Sequence, residues 1–219
     1  SICFVDLPGI YGLSATTIDE IVVREFIAKD LSDIYLVLLD PLNLERSLYL
    51  ALQVLEMTPR VVIAITKWDI VHSKGIHIHL DGIQRILGVP VVAVSGITGE
   101  GVNSLLSSIV DVVDGRLTLR DKPIEIDYGL LQPYVEKIKL RIKDVMRIES
   151  EFHARWLAVR ALEDDPAILD TLTRYTELYR DIENIKEDIR LRFGRDSSEL
   201  VIESRYRFCE EIAKSTSVR

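Results

Sequence analysis

Asp6-Leu7-Pro8-Gly9, Thr66-Lys67-Trp68-Asp69 and Ser95-Gly96-Ile97-Thr98-Gly99-Glu100-Gly101 are the segments of this 219-residue chain whose residue types could do chemistry together, and each follows an apolar run. In the first, Asp6 can accept a hydrogen bond from a magnesium-bound water, and Gly9, without a Cβ, lets its N–H approach a terminal phosphate. In the second, Asp69 can accept from both the N1–H and the exocyclic amine of guanine, a donor pair that adenine lacks, while the Lys67 stem lies over the base. In the third, a backbone N–H after the strand can meet the guanine O6. Each has an ordinary reading as well: Asp-x-x-Gly is a common turn, Asp69 suits a helix N-cap, and a glycine-rich segment can simply join a strand to a helix. Order and spacing favour the chemical reading. A phosphate motif, a base motif 60 residues on and a second base loop 26 residues after Asp69 describe a guanine-nucleotide site with magnesium.

These segments have to meet at one rim, and the apolar runs before them supply the means. Residues 2–5, 34–39, 61–66 and 89–95 read as strands, rich in β-branched residues and leucine. Residues 17–31, 44–56, 81–87 and 102–113 carry apolar positions near i, i+3, i+4 and read as helices. Continuous apolar strands separated by helices predict an α/β fold with a mostly parallel sheet flanked by helices, which takes ligands at the carboxyl ends of its strands. All three motifs fall there. From about residue 133 to 214 the pattern changes to charged amphipathic segments, 133–148, 154–162, 166–193 and 197–214, which predict a small all-α helical bundle. Asp164-Asp165-Pro166 and Gly194-Arg195-Asp196 punctuate it, with Pro at a first turn and Gly just past an end. The join lies near residues 115–128, dividing the chain into 1–120 and 121–219.

Composition narrows the function classes. A formal charge of -8 with no basic, aromatic-interleaved stripe argues against a nucleic-acid groove. Cys3 and Cys209, the two cysteines, stand at opposite ends with no Cys-x-x-Cys, which supports neither a disulfide framework nor a zinc site and fits a reducing, cytosolic setting. No apolar stretch reaches the roughly 18 residues that read as a membrane helix.

The three motifs resemble the third, fourth and fifth guanine-nucleotide motifs of TRAFAC-type GTPases. More narrowly, Asp6-Leu7-Pro8-Gly9-Ile10-Tyr11-Gly12-Leu13-Ser14, followed by Asp40-Pro41-Leu42-Asn43-Leu44-Glu45-Arg46-Ser47, resembles FeoB, the bacterial and archaeal ferrous-iron transporter family. The likeness continues in Gly88-Val89-Pro90-Val91-Val92, Arg155-Trp156-Leu157-Ala158 and Ser204-Arg205-Tyr206-Arg207-Phe208. It implies a partial G domain with a P-loop-NTPase-like sheet, then a helical domain leading to a membrane permease, all at the cytoplasmic face of the cell membrane. GTP or GDP with Mg2+ would be the cofactors, and the permease, with a homo-oligomer as a further option, the partners. Asp6 (Mg, through water), Gly9, Thr66, Lys67, Asp69, Ser95, Gly96 and Ile97 would form the site. The alternative is a docking module that binds no nucleotide. A ribosome-assembly GTPase would want a basic appendage in place of this acidic bundle.

Departures from the family pattern carry expectations of their own. No Gly-x-x-x-x-Gly-Lys-Ser/Thr occurs in the chain, so the phosphate loop, the first switch and two strands of the family are expected in a longer native polypeptide. One of those strands would lie between residues 2–5 and 34–39. Thr66 replaces the commoner Asn, which weakens base selection, and Gly96 and Ile97 replace Ala and Lys, so the fifth motif rests on backbone donors. Ile10 stands where many small GTPases carry a water-orienting glutamine, and an aliphatic side chain cannot orient water, so hydrolysis is expected to be slow.

Other residues read more plainly. His77 and His79 would share one strand face and could take a transition metal, or simply face water. His72 and His153 read as structural, Trp156 as bundle packing, and Thr16, Thr17, Asp19 and Glu20 as a helix cap. The charged run 184–192 reads as a solvated face with i,i+4 pairs.

Overall fold

The computed structural model describes residues 2–14, 16–117 and 120–218. Two compact units account for the chain, one formed by Gly9–Leu13, Glu25–Ile124 and Phe208–Arg219, the other by Ser1–Pro8, Ser14–Arg24 and Glu125–Arg207. Helix α1 (Ile18–Ala28) starts in the second and ends in the first.

The first unit is built on a parallel sheet of β1 (Tyr35–Leu39), β2 (Val61–Ile65) and β4 (Val91–Ala93), in the order β1-β2-β4. Tyr35 pairs with Val61 and Ile63 with Val91, so a single register carries all three carboxyl ends to one rim. Between these strands lie α2 (Leu44–Leu55), α3 (Trp68–Ser73), the short β3 (His77–Ile78) and α4 (Leu80–Leu87), and α5 (Val102–Val113) follows. Every residue of β2 is buried, as a strand covered on both faces requires. Val62 and Ala64 pack with Val94 and with Leu105 and Ile109 of α5, while α2 lies against β1 and α4 against β4.

The second unit is the expected bundle of α6 (Gln132–Met146), α7 (Glu151–Leu162), α8 (Pro166–Thr173), α9 (Thr176–Phe193) and the first half of α10 (Ser197–Thr216). Its punctuation acts as the residue types dictate. Asp165 caps α8 by accepting from the Ala167 and Ile168 N–H groups, with Pro166 at the first helical position, and Gly194 ends α9 at φ +66. Thr17 and Glu20 form a reciprocal capping box at α1: the Thr17 hydroxyl accepts the Glu20 N–H at 3.2 Å, and Glu20 Oε2 accepts the Thr17 N–H at 3.3 Å.

Three expectations need correction. Residues 2–5 form no strand; Phe4 and Val5 are about 60% exposed, because an apolar run with no neighbour to take its N–H and C=O groups has nothing to hold it extended. The other edge of β1 therefore carries no strand among the described residues. The single helix expected over 166–193 is two, broken at Arg174 and Tyr175. His77 and His79 do not share a strand face, since His79 is the N-cap of α4. The stretch after α10 adds a strand, β5 (Ser217–Val218), antiparallel to β3. Thr118 and Leu119, within the expected join, lie outside the described residues.

Candidate functional site

Thr66, Lys67, Asp69 and the Ser95 loop meet at the carboxyl ends of β1, β2 and β4, and backbone hydrogen bonds between neighbouring strand ends put them there. The chain leaving β2 is pinned to β1, where Leu39 O accepts both the Thr66 N–H at 3.0 Å and its hydroxyl at 3.1 Å. One residue on, Lys67 adopts the left-handed conformation (φ +53), which turns the chain sharply into α3. The Trp68 N–H then donates to Val94 O at 3.1 Å, tying the start of α3 to the end of β4. Asp69 is thereby held beside Ser95.

Ser95 is fully buried, and its hydroxyl donates to Asp69 Oδ1 at 2.6 Å while accepting the Thr98 N–H at 3.2 Å. A charge-assisted bond of this kind fixes the rotation of the carboxylate. Asp69 Oδ2 makes no hydrogen bond among the described residues, and neither do the N–H groups of Gly96 and Ile97. The loop itself is closed by the Ser95 N–H to Glu100 O at 3.0 Å and the Gly99 N–H to Ser95 O at 2.9 Å. The result is an anchored carboxylate with a free acceptor beside an exposed loop with free donors. On the guanine-binding function proposed below, Ser95→Ala is expected to weaken GDP binding about tenfold through loss of that orientation, roughly 1.4 kcal/mol; titration calorimetry reads the change, and an unaltered affinity would show that the hydroxyl does not set the carboxylate.

Lys67 reaches Asp40 at the end of β1, with 2.9 Å between Nζ and Oδ2. Asp40 also accepts from the Leu42 N–H at 3.0 Å and from Asn43 at 3.3 Å. Partial burial alone would raise the Asp40 pKa, but the Lys67 hydrogen bond, the Leu42 and Asn43 donors and the lysine charge outweigh it and hold the carboxyl below the ordinary aspartate value. The ion pair ties the Lys67 head to the end of β1. Neither Asp40 as the lysine's partner nor the Ser95 hydroxyl as the aspartate's was foreseen from the sequence; an acid directly after a strand and before proline was the available signal for the first.

The phosphate motif is placed differently. Asp6 is exposed, without a partner among the described residues, and part of the helical unit's segments, while Gly9 belongs to the sheet unit with open space where a Cβ would stand. Asp6 is not among the residues bonded to the Asp69 cluster. A lone exposed carboxylate free of partners can accept from metal-bound water, which is the only magnesium role the donor set supports; no group of three or more His, Cys, Asp or Glu residues suited to a metal occurs among the described residues. Beyond Gly9 the loop docks on α2: Arg46 stacks 4.0 Å from the Tyr11 ring centre, and the Leu13 N–H donates to Gln53 Oε1 at 2.7 Å. Among the described residues no helix is long and apolar enough to cross a membrane.

Comparison with known proteins agrees with this division of labour. The family model described as Ferrous iron transport protein B matches residues 1–109, and that described as FeoB cytosolic helical domain matches residues 128–218. A fusion of Fe(2+) transport protein A with the Fe(2+) transporter FeoB from Porphyromonas gingivalis is 32% identical over 97% of this chain and 26% of its own length. The Fe(2+) transporter FeoB of Methanocaldococcus jannaschii is 33% identical over 96% of this chain and 31% of its own length. The chain thus spans about a fifth to a third of the length of the curated relatives it matches. Among solved structures, a point mutant of S. thermophilus NFeoB bound to GDP superposes with a TM-score of 0.83 at 29% identity, covering 97% of this chain and 80% of that one. One family's models take in the nucleotide-type sheet and the helical bundle alike, and its members match along nearly all of the sequence: the chain belongs to the FeoB family of ferrous iron transport proteins.

Proposed function

We propose that this chain is the guanine-nucleotide-sensing part of a ferrous-iron transporter, with residues 1–120 as the nucleotide-facing domain and 121–219 as the helical domain that passes its state to a membrane permease. The observation that carries the reading is the carboxylate of Asp69, held at 2.6 Å by a buried serine with its second oxygen free. Guanine would lie with N1–H and its amine on Asp69, its O6 toward the Gly96 and Ile97 N–H groups, and one face against Thr66 and the Lys67 stem. The GDP carried by the NFeoB relative supports the same choice of base. Asp6 would reach a nucleotide-bound Mg2+ through water, and Gly9 would meet the terminal phosphate, so that the loop over residues 7–17 responds to the loss of that phosphate. Ile10, half-buried and aliphatic, cannot orient an attacking water, and hydrolysis is slow on this reading. No phosphate-cradling Gly-x-x-x-x-Gly-Lys-Ser/Thr is present in the 219 residues, so the affinity proposed for them rests on base recognition and lies in the micromolar range.

Calorimetry with GDP, ADP and xanthosine diphosphate tests the proposal. The wild type is expected to bind GDP and not ADP. Xanthine keeps the N1–H of guanine but replaces its amine by a carbonyl, so Asp69→Asn, which turns one acceptor into a donor, is expected to lose GDP and gain xanthosine diphosphate. Absence of heat with any of the three would leave the docking-module reading in its place.

A further inference from the structure

Gln53 stands in the buried face of α2 with the oxygen of its amide hydrogen-bonded and the nitrogen not. It is fully buried, and its Oε1 accepts the Leu13 N–H at 2.7 Å, which fixes the amide orientation because only the oxygen can accept. Its Nε2 is then buried with no acceptor among the described residues. A leucine or methionine would fill the same space without stranding a donor, so an amide here needs a reason. The reason lies in what it touches. Gly12 and Leu13 are buried, and Tyr11 lies over Arg46, so the segment after Asp-x-x-Gly is fastened to α2 at Arg46 and Gln53, two turns apart on one helix.

Backbone N–H and C=O groups alternate along a chain. Sliding the loop by one peptide unit would withdraw the Leu13 N–H from Gln53 and present a carbonyl in its stead, and an amide can meet either group without burying a charge. We propose that Gln53 is a two-position anchor for the loop 9–13: its oxygen holds the position seen here, and its nitrogen holds a second position, adopted in the other nucleotide state. The nucleotide dependence rests on the function proposed above; the two positions do not.

NMR relaxation dispersion on the chain without nucleotide tests the anchor. The Leu13 backbone amide and the Gln53 side-chain amide are expected to exchange with one common rate, and Gln53→Met, which removes both bonds, is expected to speed hydrogen exchange of the Leu13 amide about tenfold. Flat dispersion at both amides in the wild type overturns the anchor whether or not the variant folds. Adding GDP and then a non-hydrolysable GTP analogue is expected to move the populations in opposite directions. A chain that shows the common exchange but ignores both nucleotides keeps the anchor and refutes the nucleotide reading. One that binds GDP with flat dispersion does the reverse.

Discussion

Gly101→Ala is expected to destabilise the sheet unit by about 3 kcal/mol or more and to remove the proposed guanine recognition with it, combining a strained left-handed residue with overpacking. Gly101 opens α5 at φ +74, and a Cβ there would lie 1.9 Å from the Ala93 carbonyl oxygen and 3.0 Å from its carbon. The obstacle is backbone at the end of β4, so no side chain can rotate aside. Relief would require moving the chain from Ala93 to Ser95, and Ser95 is what holds Asp69. Gly99 is the internal control: at φ +77 with nothing within 4 Å of an added methyl, Gly99→Ala meets only conformational strain, on the order of 1 kcal/mol. Urea denaturation followed by circular dichroism, with GDP calorimetry on each variant, separates the two. Equal losses at 99 and 101 would mean that the close approach to Ala93 does not govern this turn.

What the sequence made legible, and what it did not, divides by the range of the interaction. The Val61–Ile65 strand could be read because five consecutive apolar residues admit a strand buried on both faces. The α1 cap could be read because Thr17 and Glu20 are three residues apart and their bonds are local. Residues 2–5 satisfied the same composition rule as the true strands and still form none, because pairing is decided by what lies alongside and not by the run itself. The break at Arg174 and Tyr175 has no glycine or proline to announce it. Threonines surround it, and the hydroxyls of Thr171 and Thr173 bond to Ala167 O and Asp170 O, which accords with their weak preference for a helix interior. In the candidate site, Asp69 was visible from its motif. The partners that orient the motif were not: Ser95 is 26 residues from Asp69 and Asp40 is 27 from Lys67, and only the parallel order of β1, β2 and β4 brings them together.

Glu163→Gln is expected to destabilise the helical unit by roughly 3–5 kcal/mol, the cost of removing the carboxylate that two buried arginines share. Glu163 Oε2 lies 2.9 Å from Arg160 Nη1 and Oε1 lies 2.9 Å from Arg205 Nη1, with side-chain exposures of 6%, 1% and 0% for the three residues. Arg205 also reaches the Tyr128 hydroxyl at 3.1 Å, joining α10 to the segment before α6. The glutamine keeps the shape and part of the hydrogen bonding but removes the negative charge that both buried guanidinium groups contact, and Arg160 Nη2 already has no hydrogen-bond partner among the described residues. Replacing all three by Met, Leu and Met is expected to cost far less than the single amide, since burial without charge carries no desolvation penalty. The ordering of these variants in chemical denaturation is the test; a triple variant less stable than Glu163→Gln would refute the electrostatic account. The same site fixes an acid limit. Burial alone would raise the Glu163 pKa, but the two arginines hold it below the ordinary 4.5. A carboxylate depressed in the folded state contributes its full stability above the unfolded pKa and loses it as pH falls through the folded value. The wild type is therefore expected to lose stability on acidification below about pH 4.5, while Glu163→Gln, already without the charge, shows a shallower loss over that range.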